Sequence, residues 1–174
     1  VRRSGTWGPR VLDRVYGAFG RVVCSSSTSC FLLYSDQVRR WTGSSWGEPR
    51  FLGRDLGGDI AVDCTSASFC LAVGDGGRTV TWNGTRWSAR GTAPLAVLGD
   101  VSMDCTSASF CMVSSNGVTS TWTGAGWRPP VTVQGFIAAV GCQSAIRCFG
   151  TTSGGLFVWD GTQWAQTSMA VGDD

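Results

Sequence analysis

The sequence predicts an all-β fold: a β-propeller of about four four-stranded blades, with one disulfide in each blade. Three observations carry this. Asp63-Cys-Thr-Ser-Ala-Ser-Phe-Cys70 returns letter for letter as Asp104-Cys-Thr-Ser-Ala-Ser-Phe-Cys111. Looser copies stand at Cys24-Ser-Ser-Ser-Thr-Ser-Cys30 and Cys142-Gln-Ser-Ala-Ile-Arg-Cys148, so all eight cysteines belong to C-x5-C elements whose first members lie 40, 41 and 37 residues apart. A second element, W-x-G-x-x-W, keeps nearly the same period at Trp41–Trp46, Trp82–Trp87, Trp122–Trp127 and Trp159–Trp164. Finally, short apolar runs and turn signals alternate four times within each repeat. Self-similarity at such a period, with four strands per unit, is the mark of propeller blades, with a β-solenoid or a sandwich as the alternative.

The second unit shows the plan. Asp59-Ile-Ala-Val-Asp-Cys64 alternates as a strand, with Ile60, Val62 and Cys64 on one face. Thr65–Ser68 is a polar turn, and the chain returns along Phe69–Val73, which lets the two cysteines face each other across a hairpin. Gly74–Gly77 turns again into Arg78–Trp82, and Asn83-Gly84 is a strong hairpin signal. A fourth strand begins near Arg86-Trp87 and fades into Thr92–Pro94. Unit one reads as strands near Val22–Cys24, Cys30–Tyr34, Val38–Trp41 and Trp46–Phe51. Unit three turns at Ser115–Gly117 and Thr123-Gly124, and unit four at Ser153–Gly155 and Asp160-Gly161. The whole chain, 1–174, reads as one domain with repeats at roughly 8–46, 47–87, 88–127 and 128–164.

The repeats leave one irregularity. Ser4-Gly-Thr-Trp-Gly-Pro9 resembles the start of a fourth strand, yet the chain ends with its own copy, Gln163–Ser168. Four units thus come with five outer strands. One of the two terminal segments is expected to complete the last blade. The spare one is then an edge open to self-association or to a further repeat.

Composition narrows the classes. The net charge is +2, which gives no strong attraction to nucleic acid or anionic lipid. No apolar run is long enough to span a bilayer, and the first residues lack the apolar segment of a signal peptide. Any export signal or anchor is expected outside this chain. The five-residue spacing and the absence of His argue against a zinc site, and C-x-x-C does not occur. Identical units favour pairing within each unit: Cys24–Cys30, Cys64–Cys70, Cys105–Cys111 and Cys142–Cys148. Such bonds imply an extracellular or cell-surface location.

With both motifs in view, the chain resembles a family of secreted or membrane-anchored actinobacterial repeat proteins, whose units look like C-x-S-A-S-F-C-x-A-V followed by W-x-G-x-x-W. Cys64–Val73 and Trp82–Trp87 carry the likeness best, and unit four departs most, at Ile146-Arg147 and Gly150. The resemblance spans Trp7 to Trp164. It implies a propeller outside the cytoplasm, in some members the outer domain of a larger protein such as a receptor-type kinase. It carries no agreed active site.

Catalysis finds little support in the residues. Without His, and with paired cysteines, the Ser/His/Asp and Cys/His mechanisms are excluded. Asp36, Asp59, Asp63, Asp75, Asp100, Asp104 and Asp160 fall mostly in turns or at strand ends, not across a cleft as glycoside hydrolysis requires. Gly74–Trp82 resembles the Asp-box of sialidase propellers, but that box is a structural turn, and Tyr16 and Tyr34 do not assemble the remaining machinery. No cofactor or metal is expected, and no residue reads as catalytic.

Binding is the better class. Trp41, Trp82, Trp122 and Trp159 occupy a position every blade demands, which reads as packing, with glycan stacking as the alternative. Asp63 and Asp104 precede the first cysteine where the outer units have Val23 and Gly141. They read as hydrogen-bonding groups, with a calcium or ligand site as the alternative. The connections from fourth strand to first vary most, as recognition surfaces do. The expected function is a non-catalytic extracellular recognition or sensor module for a protein or cell-envelope ligand. A lectin is the first alternative, and a structural, self-assembling repeat the second.

Overall fold

A computed structural model describes residues 20–97 and 99–167, together with the backbone of two short strands, β1 (Arg2–Arg3) and β2 (Thr6–Trp7), which pair with each other. Four antiparallel sheets of four strands follow in chain order. The first contains β3 (Arg21–Ser26), β4 (Ser29–Tyr34), β5 (Gln37–Trp41) and β6 (Arg50–Phe51). The second contains β7 (Ala61–Ser66), β8 (Phe69–Val73), β9 (Arg78–Trp82) and β10 (Trp87–Thr92). The third contains β11 (Val101–Ser107), β12 (Phe110–Ser115), β13 (Val118–Trp122) and β14 (Val131–Thr132). The fourth contains β15 (Ala139–Ser144), β16 (Arg147–Thr152), β17 (Gly155–Trp159) and β18 (Trp164–Thr167). These are four propeller blades, and no helix is long and apolar enough to cross a membrane.

Each blade is held by the same two touching motifs. The cysteines are direct cross-strand partners and form the four expected disulfides. In blade 2 the Ser66 hydroxyl accepts the N–H of Ser68, which shapes the two-residue turn at Ala67-Ser68. Blade 3 repeats this with Ser107 and Ser109. The first Trp of each W-x-G-x-x-W element donates its indole N–H to a carbonyl of that turn: Ser27, Ala67, Ala108 and Ala145 at 2.9–3.3 Å. The glycine of the same element has positive φ in all four copies, and Gly84, at +96°, lies over Ser68. The two motifs share a period because one sits on the other. The paired tryptophans close the blade, their ring centroids 5.6–6.0 Å apart.

The core is a series of layers between blades. Phe31, Leu33 and Val38 of blade 1 meet Ala72, Val80 and Trp82 of blade 2. Phe110 and Met112 of blade 3 meet Trp159 of blade 4. The connections feed these layers, since Leu52, Leu56 and Ile60, then Ala93, Leu95 and Val97, then Val133 and Ile137 are buried. Their variable sequence, expected to mark recognition loops, therefore belongs in large part to inter-blade packing.

Two further departures concern blade 1 and the ring. Blade 1 was expected to carry a fourth strand from Trp46 onward, but only Arg50–Phe51 pair, with Trp46 held by a single bridge to Trp41. Trp164–Thr167 completes the fourth blade, so among the described residues no blade takes a strand from the other terminus, and most of Ser4–Pro9 lies outside the described residues. The first strands pack in sequence, β3 on β7, β7 on β11 and β11 on β15. No comparable packing joins β15 back to β3. Among the described residues the blades form an open arc.

Candidate functional site

The three interfaces of the arc are built on the same positions but not with the same chemistry. Between blades 2 and 3, Asp63 Oδ2 accepts the N–H of Cys105 at 2.7 Å, while Oδ1 accepts that of Cys64. Between blades 3 and 4, Asp104 accepts the N–H of Cys142 at 2.6 Å. A second clasp joins the same pairs. The Trp127 indole donates to the Thr79 hydroxyl at 3.1 Å, and Trp164 donates to Thr119 at 2.9 Å. Asp63 and Asp104 are thus inter-blade acceptors. No group of three metal-ligating side chains exists among the described residues.

Blade 1 has Val23 where the aspartates stand and Val38 where the threonines stand. Both clasps are absent from the interface between blades 1 and 2. The Trp87 indole N–H, equivalent to those of Trp127 and Trp164, is buried without a hydrogen-bond partner. An orphaned donor of this kind is uncommon in a folded protein and costs about 1–3 kcal/mol.

At this interface lies a groove with a volume of about 480 Å³. The corresponding grooves at the next two interfaces measure about 260 Å³ each. The floor of the first groove is aromatic: Phe31 lies 4.8 Å from Trp82 and 5.3 Å from Trp87, with the Arg40 guanidinium 5.4 Å over Trp82. Its rim carries exposed Arg40, Arg50 and Arg86 against the single carboxylate of Glu48, and Phe51 stands 66% exposed beside them. In the sequence, Arg39-Arg40 reads as a solvated basic doublet with a binding patch as the alternative, while Arg50, Arg86 and Phe51 carry no local signal. The departure of Arg39-Arg40 and Val38 from the pattern of the other third strands was the signal available.

The four repeat tryptophans, read from the sequence as packing with glycan stacking as the alternative, lie inside the protein. Trp41, Trp82, Trp122 and Trp159 are all buried, at 3–9% exposure, by their own hairpins and neighbouring blades. Only Trp82 borders the large groove. Two aspartates shape turns instead. The Gly57 N–H and the Ser35 hydroxyl hold the Asp55 carboxyl below its ordinary range, with help from Arg78. The Thr162 hydroxyl and the Thr162 and Gln163 N–H groups lower Asp160 to about 2.

No protein-family model matches the chain, and no curated protein matches it. Solved structures do share its fold. YCF48 bound to D1 peptide is similar over 94% of this chain at 16% identity, with a TM-score of 0.66. YCF48 from Cyanidioschyzon merolae is similar at 18% identity and a TM-score of 0.65. The chain spans 57% and 62% of those two structures. BBS1N in complex with ARL6DN is similar over 85% of this chain at 14% identity, with a TM-score of 0.57. At such identities the likeness is one of fold.

Proposed function

We propose that this chain is a non-catalytic recognition module that binds an extended, acidic protein segment in the groove between blades 1 and 2. The observation that carries this is the groove itself, which alone among the three interfaces combines large volume, missing clasps and a rim of arginines. Its size falls within the ordinary range for ligand sites. Three guanidiniums facing one carboxylate favour a carboxylate-bearing partner, and arginine engages such groups in bidentate fashion. Phe51, exposed at the rim, offers apolar contact to the residues between the acids. That a propeller of this fold holds a peptide, and another a protein partner, supports the choice of class. Four disulfides and the resemblance to secreted repeat proteins support an extracellular or cell-surface setting.

The test is binding to an array of acidic, neutral and basic peptides, followed by titration of the best binder. Acidic peptides are expected to bind best. Arg50→Ala and Arg86→Ala should each weaken them at least tenfold, or about 1.4 kcal/mol, without altering the melting temperature. Equal binding by basic peptides, or full binding by the double variant, would overturn the proposal.

A further inference from the structure

Arg40 differs from the other arginines of the groove in how it is held. Its guanidinium lies 5.4 Å over the Trp82 ring and 5.9 Å over that of Phe31, while the residue as a whole is exposed. Phe31 faces Arg40 across the ladder of blade 1 as Leu71 faces Thr81 in blade 2 and Met112 faces Thr121 in blade 3. Thr81 and Thr121 are both buried. Of the three interfaces, the first therefore has a cation laid on aromatic rings where the other two have a short hydroxyl beside an aliphatic chain.

A guanidinium is a flat, weakly hydrated cation with two faces. The floor of the groove takes one face of Arg40, and the other is turned outward. A ring laid on that outward face brings its negative π-cloud against the cation and displaces water that binds the group weakly. Phe51, 66% exposed at the same rim, offers such a ring a second, apolar contact. Arg50 and Arg86 are placed otherwise. Both are exposed at the rim, and among the described residues neither guanidinium lies over a ring, so their forked donors are left to carboxylates. A volume of about 480 Å³ is in the range of sites that take drug-sized molecules, which leaves room for a ring and the acids beside it.

We propose that the acidic segment bound in this groove carries an aromatic residue among its acids, and that Arg40 selects it by holding that ring against the outward face of its guanidinium. This rests on the reading of the groove as a site for acidic segments, and it gives that partner a second requirement. Arg40 sets the specificity for the ring, while Arg50 and Arg86 take the charge.

Titration calorimetry on the native protein tests this, with acidic peptides of equal length and charge that differ at one central position, Tyr, Phe, Leu or Ala. The Tyr and Phe peptides are expected to bind roughly tenfold more tightly than the Leu and Ala peptides. Arg40→Lys keeps the charge but loses the flat stacking group, and should bring the whole series to nearly one affinity. Phe51→Ala alters an exposed side chain and so keeps the fold; in it the preference for rings should shrink but remain. Equal binding of the whole series by the native protein would overturn the inference and leave the acidic-segment reading standing. So would a Leu peptide that binds as tightly as the Phe peptide, because the groove would then be sensing apolar bulk. A preference that survives intact in folded Arg40→Lys, or that vanishes in Phe51→Ala, would assign the selection to Phe51 and overturn it as well. Failure of every acidic peptide to bind would overturn the reading itself, and this inference with it.

Discussion

Asp160 shows how much of this protein is specified by single side chains in turns. Its carboxylate caps the W-x-G-x-x-W turn of blade 4 by accepting the Thr162 hydroxyl and two backbone N–H groups. Asn83 performs the same task in blade 2 through its amide oxygen. Because these donors favour the ionised form, the folded pKa sits near 2, below the ordinary 3.8. The contribution is thus fully present above about pH 3.8 and is lost as pH falls through about 2. A carboxyl titration followed by NMR should place Asp160 near 2. Asp160→Asn should leave the turn intact and remove this pH dependence, as the natural Asn83 turn implies.

At the scale of the blade interface, stability depends on polar groups that reach from one repeat to the next. Asp104→Ala would strip Cys142 of its acceptor. A hydrogen bond to a charged group is worth about 1.5–3 kcal/mol, and chemical denaturation should show a loss of that size. Asp104→Asn should recover most of it, since an amide oxygen can still accept the N–H. The converse experiment belongs to the first interface. Val38→Thr would place a hydroxyl where Thr79 and Thr119 stand, giving the Trp87 indole the acceptor it lacks. The expected result is a gain of about 0.5–1.5 kcal/mol. An unchanged or lowered stability would mean that the indole cannot reach this position, and that the two interfaces differ in geometry as well as in side chains.

The molecule as a whole is a row of similar units, each resting on its neighbours, and its stability should reflect that. Each small disulfide ring is worth about 2–2.5 kcal/mol in the chain-entropy model. Reduction should therefore lower the denaturation midpoint by a large step while the apolar layers between blades still hold. Blade 1 should loosen first, because its interface has neither clasp and its Cys24 is exposed. Hydrogen exchange after reduction checks this: β3–β5 should lose protection before β11–β13. Uniform loss across all four blades would show that the interfaces are energetically equal.

The parts legible in the sequence are those written by residues close together in the chain. Cys64 and Cys70 are six apart, and the turn between them is set by its own serines. The four strands per repeat, the disulfide partners and the tryptophan pairs follow from such local contacts, repeated at a fixed period. The groove, the clasps and the open arc could not be read in the same way. Asp63 meets Cys105 across 42 residues, and Trp127 meets Thr79 across 48. Nothing near Val38 in the chain announces that it faces the Trp87 indole. Those outcomes depend on the angle at which one finished blade settles on the next, a balance of many weak contacts between distant segments that only the assembled structure decides.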